Sequence, residues 1–403
     1  MSTPSADPPG AALLRRPSDL RREIFTRRGR AAGADGPSPS WPGGFVNTQG
    51  DRSALMVLLH LASLTARRLL EVAQERRTAA SCLEAVLGGG AASDADRALA
   101  GTISPDEVTS ALHSVGARLV AVGDPGYPPE LLDLSDPPAG LFVRGHPLDD
   151  LTPRVAMVGA RNCSPSGREV AASLARALAE AGACVVSGGA RGIDAAAHRG
   201  AMRGGGRTIS VLGCGIDILY PGQNRALLAE IARSGAVVSE YPPGTPAEPF
   251  RFPARNRIVA ALARALVVVE GAKGSGSMIT ADHALEVGRE VFAVPGPVTS
   301  PLAAVPLELI RDGATLVRGP DDLLGDLGLS RHTGADGSGD RTLPASERAV
   351  WDALTTAMAA DSLAGAAGIS LPETMSALVA LELRGRVRQA GGRYERRMEG
   401  GRA

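Results

Sequence analysis

The chain reads as an α/β protein built on a doubly wound, mostly parallel sheet, and three observations predict it. Six short apolar segments recur from Arg154 onward: VAMVG (155–159), CVVSG (184–188), TISVLG (208–213), AVVSE (236–240), ALVVVEG (265–271) and EVFAVPG (290–296). They are apolar on both faces, as strands of a sheet covered on both sides must be. Helical stretches such as GREVAASLARALAEAG and NRALLAEIARSG lie between them, each closing on glycine as a helix C-terminus does. Glycines, hydroxyls and arginines then gather just after the strands, at the rim where open parallel sheets bind ligands.

Residues 1–50 are rich in Pro, Gly, Ser and Arg and read as a disordered tail. Residues 51–115 read as a helical module, because ALMVLLHLASLTARRLLEVA spaces its leucines by three and four. ISPDE marks a helix start there, capped by Ser104 or Asp106. Two short strands flanking a Pro-rich turn (116–145) lead into the Rossmann-like domain, placed at 116–320. A Gly/Asp-rich linker (321–342) follows. Residues 343–398 run helix, helix–turn–helix, hairpin, the outline of a winged helix.

Lysine plus arginine equals aspartate plus glutamate at 43 each, which argues against a protein that coats DNA by bulk charge. The four cysteines show no C-x-x-C spacing, so neither a zinc site nor a disulfide framework is expected. No apolar run reaches the length of a membrane span, and no apolar region follows the arginine pairs near the N-terminus. A cytoplasmic protein with no membrane partner is the simplest expectation. No Walker-type G-x-x-x-x-G-K-[ST] occurs, and no metal or cofactor is called for.

Several rim loops suit phosphate. SGGARGID (187–194) bends a strand into a helix through glycines, and GAKGSGS (271–277) looks like a cradle of amides and hydroxyls around the chain's single lysine, Lys273. FPARNR (252–257) sets Arg255 and Arg257, with Asn256, where a helix is expected to begin. Phe252 beside them offers a face on which a base can stack. Blander readings stay open at this point: a ligand-free turn for the glycine loop, an N-cap for Asp194, a packed histidine for His198, a local ion pair for Arg161.

Taken in order, VAMVGARNCSPSG, VVSGGARGIDAAAHRGA, TISVLGCGIDILYPGQNRAL, SEYPPGTP, FPARNRIVAAL, GSGSMITADHALEVGREVFAVPGPVTSP and LIRDGA closely resemble the DNA-processing protein A family (DprA, also called Smf) over residues 118–318. The resemblance implies an extended Rossmann-like sheet, in a homodimeric single-stranded DNA-binding protein of natural transformation that protects incoming strands and loads the RecA recombinase, without a catalytic role. It carries over Arg161, the loop of Ser187, Gly188, Gly189, Arg191 and Gly192, the group Phe252, Arg255, Asn256 and Arg257, and the cradle Ser275, Gly276 and Ser277. Two departures stand out. Gly189 replaces the family's usual leucine, a change that would loosen the loop, and AAVPLE (303–308) stands where a GTN element is common.

Two other classes compete. A nucleotide N-glycosidase of Rossmann type would need acid–base groups, for which Glu240, Glu270, Asp282 and His283 are available without forming a recognisable constellation. A winged-helix transcription regulator would need cations on its reading helix, yet LPETMSALVALEL carries Glu373 and Glu382 and no positive charge.

Overall fold

The computed structural model describes residues 21–25, 40–330, 343–383 and 386–396. After a helical segment at 21–25, five helices follow among the described residues: α1 (Gln49–Leu58), α2 (Ala66–Arg76), α3 (Ala79–Leu87), α4 (Asp94–Ala100) and α5 (Pro105–Ser114). Thr48 caps α1 in a capping box with Asp51. At α5 the cap is Ser104, whose side chain accepts from the Glu107 amide.

All six apolar segments form strands, preceded by the two of the lead-in. They are β1 (Ala117–Ala121), β2 (Gly140–Gly145), β3 (Arg154–Val158), β4 (Cys184–Ser187), β5 (Thr208–Leu212), β6 (Ala236–Ser239), β7 (Ala265–Val268) and β8 (Glu290–Ala293). A two-residue β9 (Thr315–Leu316) completes a sheet of order β1-β2-β6-β5-β4-β3-β7-β8-β9. The pairs from β6 through β9 are parallel, while β1–β2 and β2–β6 are antiparallel. From β3 the chain winds outward to β6, then returns to lay β7 on the other side of β3.

The crossovers are α6 (Pro165–Glu180), α7 (Ile193–Arg203), α8 (Arg225–Ser234), α9 (Arg251–Ala261), α10 (Gly276–Glu286) and α11 (Ala304–Asp312). Side-chain alternation along β3 shows the two covered faces: Ala156 and Val158 join one apolar cluster, Val155 and Met157 the other. The first cluster also takes in Leu55, Leu69 and Leu112 from the N-terminal helices, so that module shares its core with the sheet.

Two expected boundaries need correction. The tail is ordered where it is described: Trp41 and Phe45 are buried with ring centroids 4.6 Å apart, and the Trp41 indole donates to the Pro137 carbonyl at 3.2 Å. Arg21 is buried too, pairing with Asp312 at 3.0 Å, Asp282 at 3.2 Å and Glu308. Large aromatics inside a Pro/Gly stretch can be buried by a neighbouring core, which outweighs local composition. Residues 1–20 and 26–39 lie outside the described residues. The linker likewise begins with structure, since α12 (Pro320–Asp326) buries Leu323 and Leu324 against the second cluster; residues 331–342 lie outside the described residues.

The C-terminal unit is α13 (Ala345–Ala353), α14 (Ala360–Ala367), α15 (Leu371–Leu383) and the antiparallel hairpin β10 (Val387–Ala390) and β11 (Arg393–Arg396), around a small core of its own. Among the described residues no single helix is long and apolar enough to cross a membrane, and no group of three or more His, Cys, Asp or Glu could hold a metal ion.

Candidate nucleic-acid interface

The carboxyl ends of β3, β4 and β5 and the first turn of α9 converge on one pocket, with about 430 Å³ of space including that open to solvent. Arg161, Gly188, Arg191, Tyr220, Phe252 and Arg255 line it. Phe252 is its centre. The Tyr220 ring stacks with it at 5.4 Å and an interplanar angle of 27°, and the Arg161 guanidinium lies 5.2 Å from its centroid. Arg161 and Arg191 are exposed, and neither is paired with a carboxylate among the described residues. Tyr220 is 45% exposed. Two cations without a carboxylate partner beside paired aromatic faces suit a ligand that is both anionic and planar.

The glycine loop after β4 is organised around an anion that the chain itself supplies. Asp194, in the first turn of α7, accepts from the Gly188 amide at 3.1 Å and the Ala190 amide at 3.3 Å. Burial pushes its carboxyl pKa up, opposed by the Arg255 guanidinium and these amides. Asn224 donates to the Gly189 and Ala190 carbonyls, both at 3.0 Å. Gly189, expected to loosen the loop, instead takes a φ of +67° and packs so closely on Ser210 and Leu228 that a Cβ would strike the Ser210 hydroxyl. The loop is braced, and two of its amides are already engaged.

Gly192 is the loop's other obligatory glycine. Its φ is +77°, and a Cβ there would collide with the Ala160 and Arg161 carbonyl oxygens. Gly192→Ala is therefore expected to cost about 1–3 kcal/mol through overpacking, read as a lowered urea midpoint. An unchanged midpoint would mean that the β3 and β4 loops are not held this tightly.

The arginine motif divides differently from the sequence reading. α9 starts at Arg251, so Arg255 and Arg257 sit a turn inside the helix and both are buried. Arg255 donates to the Gly188 carbonyl at 2.7 Å and to the Val211 carbonyl, clamping two strand ends while one edge still lines the pocket. Arg257 points elsewhere. Its guanidinium donates to Asp136 at 3.0 Å and to Glu240 at 2.7 Å, so this arginine, expected to meet DNA, is committed to two carboxylates. Ser187 is fully buried and donates to the Met157 carbonyl, which also withdraws it from the surface.

The second cradle lies beyond β7. Lys273 is exposed, Ser275 and Ser277 share a hydroxyl contact at 2.5 Å, and no side chain caps α10. Asn256 donates to the Gly276 carbonyl at 3.3 Å, linking this cradle to α9. Between the two loop groups, Glu270 accepts from the Ser164 amide at 2.9 Å and hydroxyl at 2.6 Å, occupying the crevice between β3 and β7.

The acids and histidine that a hydrolase would need are engaged in the same way: Glu240 with Arg257, Glu270 with Ser164, Asp282 with Arg21, His283 with Glu286 at 3.1 Å. Tyr220 is the aromatic pocket residue that sequence reasoning missed. The signal for it was its place in the loop after the third predicted strand, in a chain with only four tyrosines.

Comparison with known proteins agrees with this architecture. The family model for DNA recombination-mediator protein A matches residues 118–328, and that for the DprA winged helix domain matches 337–393. Protein Smf of Escherichia coli is 38% identical over 293 residues, covering 69% of this chain and 77% of that protein. A DprA relative from Mycobacterium tuberculosis is 44% identical over 254 residues; the match covers 61% of this chain and 65% of the relative's length. The crystal structure of DprA from Streptococcus pneumoniae superposes with a TM-score of 0.61 at 33% identity, covering 68% of this chain and 97% of that one. On the family match and the shared fold together, this chain belongs to the DprA/Smf family of DNA-processing proteins.

Proposed function

We propose that the chain binds single-stranded DNA along the rim of β3, β4, β5 and β7, and does so without catalysis. The observation that carries this reading is the Arg161–Phe252–Tyr220 assembly, in which an exposed guanidinium with no carboxylate partner lies over one ring of a stacked pair, beside an exposed Arg191. Unstacked bases can reach such faces, whereas bases inside a duplex cannot. Lys273 and the uncapped start of α10 extend the same rim for further phosphates. Ser187, Arg255 and Arg257 act on this reading as scaffold, with only the edge of Arg255 facing the strand. The wider role follows the family resemblance: a cytoplasmic homodimer that protects incoming single strands and loads RecA onto them.

Fluorescence anisotropy with labelled single-stranded and duplex oligonucleotides over a salt series tests the rim. Single strands should bind more tightly. Arg161→Ala and Arg191→Ala should each make the salt slope shallower by about 0.7, the share of one phosphate. Tyr220→Ala should instead cost about 1–3 kcal/mol of affinity, the worth of one stacked base, and leave the slope unchanged. Binding indifferent to all three substitutions would remove the DNA from this rim.

A further inference from the structure

The rim carries a second arginine–aromatic assembly, on the β6 side of the pocket. Arg251, the first residue of α9, sets its guanidinium 5.0 Å from the Phe250 ring centroid and 5.4 Å from that of Tyr241. Glu248 holds it at 2.8 Å, and it donates to the Pro246 carbonyl at 2.7 Å. This guanidinium is spent within the chain, where it fixes the two rings instead of reaching for phosphate.

Phe250 differs from every other phenylalanine here. Of the six in the chain, Phe45, Phe142 and Phe292 lie in the cores, Phe25 packs on Gly313, and Phe252 lines the pocket. Phe250 is 66% exposed. Its position does not ask for an aromatic residue either. It is the N-cap of α9 and makes no capping hydrogen bond, where Ser, Thr, Asp or Asn would stabilise the helix. The ring serves neither a core nor a cap.

Its place is continuous with the pocket. Gly213 lines the pocket, and a Cβ there would come within 2.9 Å of the Phe252 ring and 3.3 Å of the Arg251 carbonyl oxygen. The loops after β5 and β6 are tied together, since the Gly215 amide donates to the Thr245 carbonyl at 2.8 Å. A step of two turns about 200° around a helix, so Phe250 and Phe252 face opposite sides of the first turn of α9. Building on the reading that the rim binds single strands, we propose that Phe250 is a second base-stacking residue. The strand then continues from the pocket, across the start of α9, to the end of β6, and the group taken at this subsite is an unpaired base.

Anisotropy with the full chain and a labelled 20-nucleotide oligothymidylate tests this, with Tyr220→Ala beside it as the reporter on the pocket. Phe250→Ala should weaken binding about tenfold, the share of one stacked base, and leave the salt slope unchanged because no phosphate contact is lost. Phe250→Leu keeps apolar bulk without a ring and should lose as much, whereas Phe250→Trp should bind at least as tightly as the parent. The residue is exposed, so the urea midpoint should stay the same in all three variants. Photocrosslinking of the parent to 5-iodouracil in the oligonucleotide should label Phe250, a reading that needs no substitution. If Tyr220→Ala weakens binding while the Phe250 variants match the parent and no crosslink forms there, this proposal falls and the rim reading stands. If all of them bind as the parent does, both fall. Parent-like binding by Phe250→Leu would reduce the contact to apolar bulk. Self-association lost in Phe250→Ala with DNA affinity unchanged would hand the ring to a second copy. Either result overturns the stacking role.

Discussion

Arg257→Ala is expected to lose about 3–5 kcal/mol of folding stability, the usual cost of removing one partner from a buried ion pair. Arg161→Ala should stay within about 0.5 kcal/mol of the parent, as exposed substitutions generally do. The difference lies in what each guanidinium does. Arg257 is 7% exposed and joins Asp136, in the connection between β1 and β2, to Glu240 at the end of β6. Burial works against its charge, but the two carboxylates together outweigh burial and push its pKa above the ordinary arginine value. Without it, two negative groups remain side by side with their counter-charge gone, and the antiparallel lead-in loses its tie to α9. Urea denaturation followed by circular dichroism would read both variants. An Arg257→Ala protein that unfolds like the parent, yet no longer binds single strands, would show that Arg257 turns outward to meet DNA after all.

These two arginines also show how far the sequence could be read. The strands were legible because both sheet faces are covered, which leaves unbroken apolar runs such as ALVVV. The loops were legible because glycine and hydroxyl residues cluster at strand ends. Whether a basic residue faces inward or outward was not, because its partner is set by tertiary structure. Asp136 lies 121 residues from Arg257, and Glu130, which pairs with Arg154, is likewise far from any motif. The glycine loop misled in a related way. Its shape does mark an anion-binding bend, but the anion on Gly188 and Ala190 is Asp194, four to six residues further along. Trp41 and Phe45 were hidden by composition, since a window of Pro, Gly and Ser outweighs two aromatics that a distant core later buries.

His198 makes stability fall with acid in a window of its own. The side chain is fully buried, and its Nδ1 lies 2.7 Å from the Thr208 hydroxyl. That hydroxyl already donates to the Val185 carbonyl at 2.6 Å, so Nδ1 must be the donor and Nε2 carries the lone pair. Nε2 is buried with no hydrogen-bond partner. Protonating it would place a charge in the core, near the positive Arg255 and Arg199, and burial together with these two lowers the pKa from 6.5 to about 3. The folded pKa is thus below the unfolded one. As pH drops under about 6.5 the unfolded chain takes up a proton that the folded chain refuses, and stability is lost until pH reaches the folded value near 3. The full loss is on the order of 4 kcal/mol, of which about 2 kcal/mol should fall between pH 6.5 and 5, above the range where most carboxylates titrate. Urea unfolding across that interval, for the parent and His198→Gln, isolates the effect because glutamine cannot charge. The stability difference between them should shift by about 2 kcal/mol in favour of the variant as pH falls. Parallel curves would mean that His198 accepts its proton within the folded protein and that the core beneath the glycine loop is open to water.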